Sequence, residues 1–495
     1  MNAAPYPGRP TLAADYQAAR PDEDRPGGPL GGDRSWWFTD AAADNRAAFG
    51  SLRGPKLVDV AIVGGGYTGL WTAIELRRRR PDLTVALIER DVCGAGASGK
   101  NAGKVHGYWA ALPHLADLLG PEQAWSMARM GSRAQDAIRN FSLSGGRDVW
   151  WREGGGLKIS CAPAQDRRIA SLAAAMTKLG AGGMVRVLSP EQVADYCRSP
   201  VFRGGLFYRE EATVHPARLA MALRDAAVAA GVAIHERTPM LRLERGRPNR
   251  IVTPGGELAA ASVVLATNVD LLAFRRLRSR FMAFSSYALM TEPAEGTLDA
   301  ARWRRDHSIT DARSFLHYFR RTPDGRVLMG SGSGPIAFGA NVAAPSVVRD
   351  ASSLDRTVRG LRRLLPSHDK VAVASAWGAA IDVSSDRLPY AGTLTGGGVH
   401  YAFGFTGHGV NPSYIIGQCL ASLTLGQKDD WTLSPFCARA LPPLPPEPFR
   451  YVGGAIIRKA TLSCEDAEER GARGSTIARA LAAAPALFNL RIGTR

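Results

Sequence analysis

The chain has 495 residues, more than one hydrophobic core holds, so two or three domains are expected. Its 45% hydrophobic and 22% charged residues exclude a mostly disordered polymer, and no apolar run reaches the about 18 residues of a membrane-spanning helix. The formal charge of +17 is the unusual quantity. Its arginines come in short clusters, such as Arg77 to Arg80, and read as a solvated basic surface at helix ends and faces. No RNA-binding motif accompanies the charge, so nucleic acid is not an expected partner.

Residues 1 to 55 read as an extension punctuated by Pro5, Pro7, Pro10, Pro26, Gly27 and Gly28, with Trp36 and Trp37 pinning it to the body. The extension lacks a signal peptide's apolar core, and a cytoplasmic location is expected. Asp59 to Val63 is a short buried strand, Leu70 to Arg80 a helix stopped by Pro81, and Thr84 to Ile88 a second buried strand. Glu122 to Phe141 and Asp166 to Leu179 are helical, with strand-like Gly156 to Ser160 between them. A helix from His215 is closed by Gly231, and strands follow at Val232 to His235 and Ser262 to Ala266. Phe281 to Met290, Phe315 to Phe319 and Arg326 to Met329 read as antiparallel sheet, the last two joined through Pro323-Asp324-Gly325. After a proline-rich spacer at 442 to 448, two helices are expected at 455 to 471 and 475 to 488. Ile456, Ile457, Ala460 and Cys464 fall on one side of the first, and Ile477, Leu481 and Ala484 on one side of the second. Such faces want a partner surface: the body, a membrane surface, or a second subunit in an oligomer. The six cysteines lie apart with no C-x-x-C pair, and no histidine shows metal spacing, so neither a disulfide framework nor a metal site is expected.

The first motif follows a strand and opens a helix. Gly64-Gly65-Gly66-Tyr67-Thr68-Gly69 contains G-x-G-x-x-G, with Glu89 at the end of the next strand. Gly64 permits the tight turn, Gly66 lets backbone approach a pyrophosphate, and Gly69 allows close helix–strand packing. The helix start offers N–H groups to phosphates, and Glu89 can accept from ribose hydroxyls while repelling the extra phosphate of NADP. The glycine- and alanine-rich segment Gly94 to Gly103 would let backbone lie close to a flat ring system.

These residues, together with Asp59 to Leu70, the GASGKNAGK loop at 96 to 104, His215-Pro-Ala-Arg-Leu219, Val264-Leu-Ala-Thr-Asn268, Trp377-Gly to Asp386-Arg-Leu-Pro389 and Gly404-Phe-Thr-Gly-His408-Gly-Val410, carry a resemblance. The chain resembles the FAD-dependent amine and amino-acid oxidases of the D-amino-acid-oxidase-like superfamily, nearest the gamma-glutamylputrescine-oxidase-like branch. The resemblance spans roughly residues 36 to 425. It implies an α/β protein: a discontinuous Rossmann-like FAD-binding domain (56–112, 200–270 and 375–428) and an α+β substrate domain on an antiparallel sheet (113–199 and 271–374). The extension 1–55 and the linker and helical tail 429–495 lie outside. The implied FAD contacts are Gly64, Gly66, Tyr67, Thr68, Gly69, Glu89, Arg90, Gly96, Ala97, Ser98, Gly99, Asn101, Met240, Gly407, His408, Gly409 and Val410. No Cys lies in 377–389 and no His in 91–104, the segments that carry the covalent link in relatives, so FAD is expected to be non-covalent.

The implied reaction is hydride transfer from an amine-bearing carbon to flavin N5, followed by imine hydrolysis, with O2 or another carrier taking the electrons. Two departures narrow the substrate. Ile381 stands where amino-acid oxidases of the superfamily often have an arginine carboxylate clamp, and Asn411 where sarcosine-oxidase-like relatives have a lysine. An α-carboxylate there would be a poorly compensated charge. The expected substrate is therefore an amine with an anionic or polar far end, bound by Tyr318 and Arg320, which alternation sends to one face. Lys104 stands where close relatives tend to have glutamine and is expected to add positive charge near the flavin. Lys104 and His408 are the catalytic candidates. An oxidase acting on a modified amine in tRNA, an amine dehydrogenase with another acceptor and an NAD-linked dehydrogenase are the competing readings.

Overall fold

The computed structural model describes residues 34–43 and 49–485. The punctuation expected before Arg34 and the end of the second tail helix lie outside the described residues.

In chain order, the elements that frame the site are α1 (Trp36–Ala43), β1 (Lys56–Val63), α2 (Tyr67–Arg79), β2 (Val85–Ile88), β3 (Lys104–His106), α3 (Pro121–Ser144) and β4 (Glu211–Thr213). They continue with α4 (Pro216–Ala229), β5 (Phe281–Thr291), β6 (His317–Arg321), β7 (Val327–Ser331), β8 (Val373–Ser384), α5 (Val410–Thr424), α6 (Phe449–Glu469) and α7 (Thr476–Ala483).

Two large sheets divide the molecule. In the first, β1 lies between β2 and the strand Gly256–Leu265, all parallel, with Ala233–His235 beyond β2. Val399–Phe403 runs parallel to the far side of Gly256–Leu265 and pairs antiparallel with Tyr390–Leu394. All four residues of β2 are buried, as a parallel strand covered on both faces requires. α2 packs so closely on α5 that a Cβ on Gly417 would stand 2.7 Å from that of Trp71.

The second sheet runs β8, β5, β7, β6, Ser308–Asp311, Gly156–Ile159, Gly205–Tyr208 and Val185–Leu188, antiparallel except where Ser308–Asp311 meets Gly156–Ile159. A ribbon of β3 with β4 forms a third, two-stranded sheet.

Sheet membership moves two of the expected boundaries. β8, expected in the FAD-binding part, pairs with β5 along nearly its whole length, and Gly205–Tyr208 also joins the substrate sheet. Small residues flank Trp377 on both sides in β8, Ala374 to Ala376 before it and Gly378 to Ala380 after it. The extension carries a helix, α1, whose Trp37 is fully buried against His215 and Trp150.

The tail helices dock unequally. α6 begins earlier than expected, at Phe449, and is held by buried charge: Arg313 reaches Glu465 (3.2 Å), Asp466 (3.1 Å) and Glu469 (2.7 Å). α7 turns Ala478 inward and leaves Ile477 and Leu481 exposed, so the face expected to dock is not covered by the described residues. Among the described residues no helix is long and apolar enough to cross a membrane.

Candidate active site

The glycine turn after β1 is enforced by contact. Gly64 has φ +111°, and a Cβ there would stand 2.5 Å from the Ala266 carbonyl oxygen. A Cβ on Gly69 would lie 2.0 Å from the Gly64 oxygen, so α2 rests directly on the strand end. Gly66 caps α2 without any side-chain bond, and a Cβ there would meet Ser98 Oγ at 2.9 Å. The Tyr67 N–H donates to that same hydroxyl at 2.9 Å, while the Tyr67 hydroxyl donates to the Pro216 carbonyl. Thr68 sits buried in the first turn of α2.

Glu89 locks the turn from the other side. Its carboxylate accepts from Gly65 N (2.7 Å) and Asp91 N (3.0 Å). Burial pushes its pKa up, against the pull of those two N–H groups. Arg90 is largely exposed and pairs with Asp270 at 2.9 Å. Met240 is buried.

The 94–103 loop is built for close approach. Ala97–Gly99 forms one 3-10 turn, and Asn101 fastens it by donating to Ala97 O and Ser98 O and accepting from Gly103 N. Gly96 opens onto empty space, whereas a Cβ on Gly99 would strike Gly94 O at 2.4 Å. The Ser35 hydroxyl donates to Gly99 O, so the start of α1 braces this loop. Trp377 of β8 donates to Lys100 O at 2.8 Å from the opposite side.

At the other end, Gly407 is exposed with φ +77°, Gly409 caps α5 without a side-chain bond, and Val410 is buried at the start of that helix. Asp382 of β8 holds this loop: its carboxylate accepts from Gly404 N at 2.5 Å, and its carbonyl from Thr406 N at 2.8 Å. Burial raises the Asp382 pKa to about 7, although N–H groups of Gly404 and Phe405 pull it down. The His408 ring meets that of His106 on β3 edge-on at 5.3 Å. His106 lines a small recess with Trp109, Tyr208, Glu210 and Glu211. Glu210 Oε2 accepts from Ser132 and Trp109, while its Oε1 is buried without a hydrogen-bond partner.

The departures noted in the sequence find their positions here. The Ile381 side chain reaches within 3.3 Å of where a Gly407 Cβ would be. Asn411 faces α3, donating to Gly131 O at 2.9 Å and Gln135 Oε1 at 3.3 Å, so its amide ties two helices together. Lys104 is mostly buried and pairs with Glu211 at 3.0 Å, which offsets the charge it was expected to add. Tyr318 bonds Ser286 at 3.0 Å. Arg320 is 1% exposed beneath Trp37, not a solvated strand end.

Two helix starts without side-chain caps, a turn closed to any Cβ and an open glycine at the loop apex form a cradle suited to a dinucleotide. A family model described as FAD dependent oxidoreductase, DAO, matches residues 59–423. The chain belongs to the DAO family of FAD-dependent oxidoreductases. This DAO-family chain is 26% identical over 428 residues to gamma-glutamylputrescine oxidoreductase of Escherichia coli (strain K12), covering 84% of itself and 93% of that relative. It is 27% identical over 410 residues to the probable oxidoreductase OrdL of Rhizobium meliloti (strain 1021), covering 82% and 91%. The crystal structure of glycine oxidase from Geobacillus kaustophilus shares its fold with a TM-score of 0.63 at 21% identity, over 77% of this chain and 98% of that one. FAD is the cofactor of the family, and the residues of the cradle fit it. Both α1 and the tail helices lie outside the family-matched stretch.

Sequence reasoning missed Asp382, His106, Glu210 and the Ser35 bond that braces the 94–103 loop, though it expected the tryptophans to pin the extension, as buried Trp37 does. An aspartate inside an otherwise small and apolar strand was the one available signal for the first.

Proposed function

We propose that the chain oxidises a primary or secondary amine and passes the electrons to oxygen, yielding hydrogen peroxide and, once the imine is hydrolysed, an aldehyde or keto product plus an amine or ammonia. Bound FAD supplies the hydride acceptor. The chain's own residues bind, orient and shield. Backbone N–H groups at the start of α2 offer positive potential to the pyrophosphate, and those at the start of α5 oppose negative charge gathering nearby. His408, with its ring against His106, takes the proton that an aminium loses on entering. The buried Glu210 Oε1 offers an acceptor to an amine N–H. Trp109 and Tyr208 exclude water from the recess.

One observation carries the choice of amine over α-amino acid: Ile381 lies against Gly407, and the Asn411 amide is bonded to α3. The two positions at which relatives clamp an α-carboxylate hold no cation, and an uncompensated carboxylate there would be costly. The similarity to gamma-glutamylputrescine oxidoreductase supports the same reading.

The test is anaerobic bleaching of the flavin absorbance by a panel of primary amines, N-methylamines, N-acylated diamines and common α-amino acids, followed by peroxide assay in air. Bleaching by the first three classes, with α-amino acids at least 100-fold poorer, is expected. Bleaching by α-amino acids alone, or by no amine, overturns the reading.

A further inference from the structure

Two cations occupy the region between the substrate sheet and the 94–103 loop, and they differ in what neutralises them. Lys104 lies 3.0 Å from the Glu211 carboxylate and donates to Thr310 Oγ1 at 2.7 Å. The Ser308 hydroxyl donates to the same carboxylate, completing a buried, locally neutral group.

Arg320 has no such company. It is 1% exposed, and its Nε and Nη2 are buried without hydrogen-bond partners. The anionic side chains that act on it, Asp306 and Asp324, belong to other arginines, Arg152 and Arg326. One face of the guanidinium is covered by Trp37, 4.9 Å away. In register, Arg320 lies directly opposite Leu328 on β7. Leu328 and Trp37 share an apolar cluster with Ala95 and Ala102 of the glycine-rich loop. Tyr67, which opens α2, is near enough for its hydroxyl and the guanidinium to influence each other's ionisation.

A guanidinium buried among tryptophan, leucine and alanine is strongly destabilising unless an anion answers it. None of the described carboxylates forms an ion pair with it, which leaves its buried N–H groups available to an anion held in the cradle. Hydride departure moves the C–H electron pair off the amine carbon while the nitrogen lone pair closes the C=N bond, leaving one additional negative charge at the flavin site. We propose that Arg320, rather than Lys104, is the fixed positive charge of the cradle and that it stabilises this negative charge from beneath the 94–103 loop. The proposal rests on the FAD assignment and is independent of which amine reacts.

The proposal is tested on holoenzyme without any amine. Sulfite, which adds to the oxidised ring and leaves it negatively charged, is titrated by absorbance, and the two-electron midpoint potential is measured by dye equilibration. Arg320→Gln, with FAD still stoichiometric, should weaken sulfite binding at least tenfold and lower the midpoint by about 30 mV or more, the equivalent of tenfold for two electrons. Removing the neutral pair as a whole, with Lys104→Met and Glu211→Gln together, should change either quantity less than threefold. Unchanged sulfite affinity and potential in Arg320→Gln overturn the proposal. If the Michaelis constant then rises only for amines with an anionic far end, the guanidinium is a substrate anchor instead. Should Arg320→Gln fail to fold, Arg320→Lys keeps the question open to test. A buried ammonium loses its proton as pH rises, so its sulfite Kd should climb at least tenfold relative to the parent between about pH 6 and pH 9, and a constant ratio overturns the proposal.

Discussion

Removing the Glu465 carboxylate should release α6 from the body. Arg313 and Glu465 are each 2% exposed and lie 3.2 Å apart, and the same carboxylate accepts from Ser314 N. Taking one partner from a buried ion pair costs about 3–5 kcal/mol, because the remaining charge is left uncompensated. Arg313 would keep Asp466 and Glu469, which are more exposed, so the lower end, about 3 kcal/mol, is expected for Glu465→Ala. Glu465→Gln retains an acceptor for Ser314 N and should lose about 1–2 kcal/mol. Hydrogen exchange along residues 449–469 reads local opening of this helix and is the suitable assay. A loss of 3 kcal/mol corresponds to exchange faster by about 100-fold. Acceleration of less than threefold in Glu465→Ala would refute the view that buried charge holds the tail.

Other perturbations address the cradle. The Asp382 carboxyl keeps its proton to about pH 7 in the native state, against an ordinary value of 3.8, so the folded chain binds more protons than the unfolded one across that window. Stability should fall as pH rises from about 4 to 7, and Asp382→Asn should flatten that slope in urea titrations; an unaltered slope would count against the burial of this group. Gly66→Val places side-chain atoms against Ser98 Oγ, and the purified variant should be largely apoprotein by its absorbance ratio, with a fully yellow preparation as the contrary result. Acid precipitation should leave the flavin in the supernatant. Cys93, the thiol that would touch a Gly65 Cβ, is buried and held in its protonated form, so a yellow pellet would need another attachment point. Reduced enzyme mixed with aerated buffer should reoxidise within seconds, whereas reoxidation over many minutes would favour a different acceptor.

The glycine turn, its two parallel strands and the helix start were legible because each depends on local physics: a Cβ cannot fit at Gly64 or Gly69, whatever surrounds them. β8 was not legible as part of the substrate sheet. Strand partners are set by long-range pairing, and Ala379, Ala380 and Ile381 carry no mark of which sheet will receive them. Alternation puts Arg320 on the same face as Tyr318, but its burial depends on Trp37, nearly three hundred positions earlier in the chain. Lys104 was likewise not recognisable as half of an ion pair, since Glu211, about a hundred positions later, approaches only through the β3–β4 ribbon. The tail showed the opposite failure. On α7, Ile477 and Leu481 of the expected face remain exposed, while α6 buries Ala460 of its expected face, leaves Ile456 exposed, and is held as well by charges that a hydrophobic pattern does not report.

Asp382 also bears on how the two sheets can move. β8 runs as an edge strand of the substrate sheet, and after the link 385–389 the chain re-enters the cofactor sheet at Tyr390. Both the carboxylate and the carbonyl of Asp382 are bonded to the loop that leads into α5. The two halves therefore meet along a stitched seam instead of a hinge. Parting them means breaking buried hydrogen bonds at the seam. The cofactor itself should leave only when the seam fails, and loss of flavin on heating should coincide with loss of the fold.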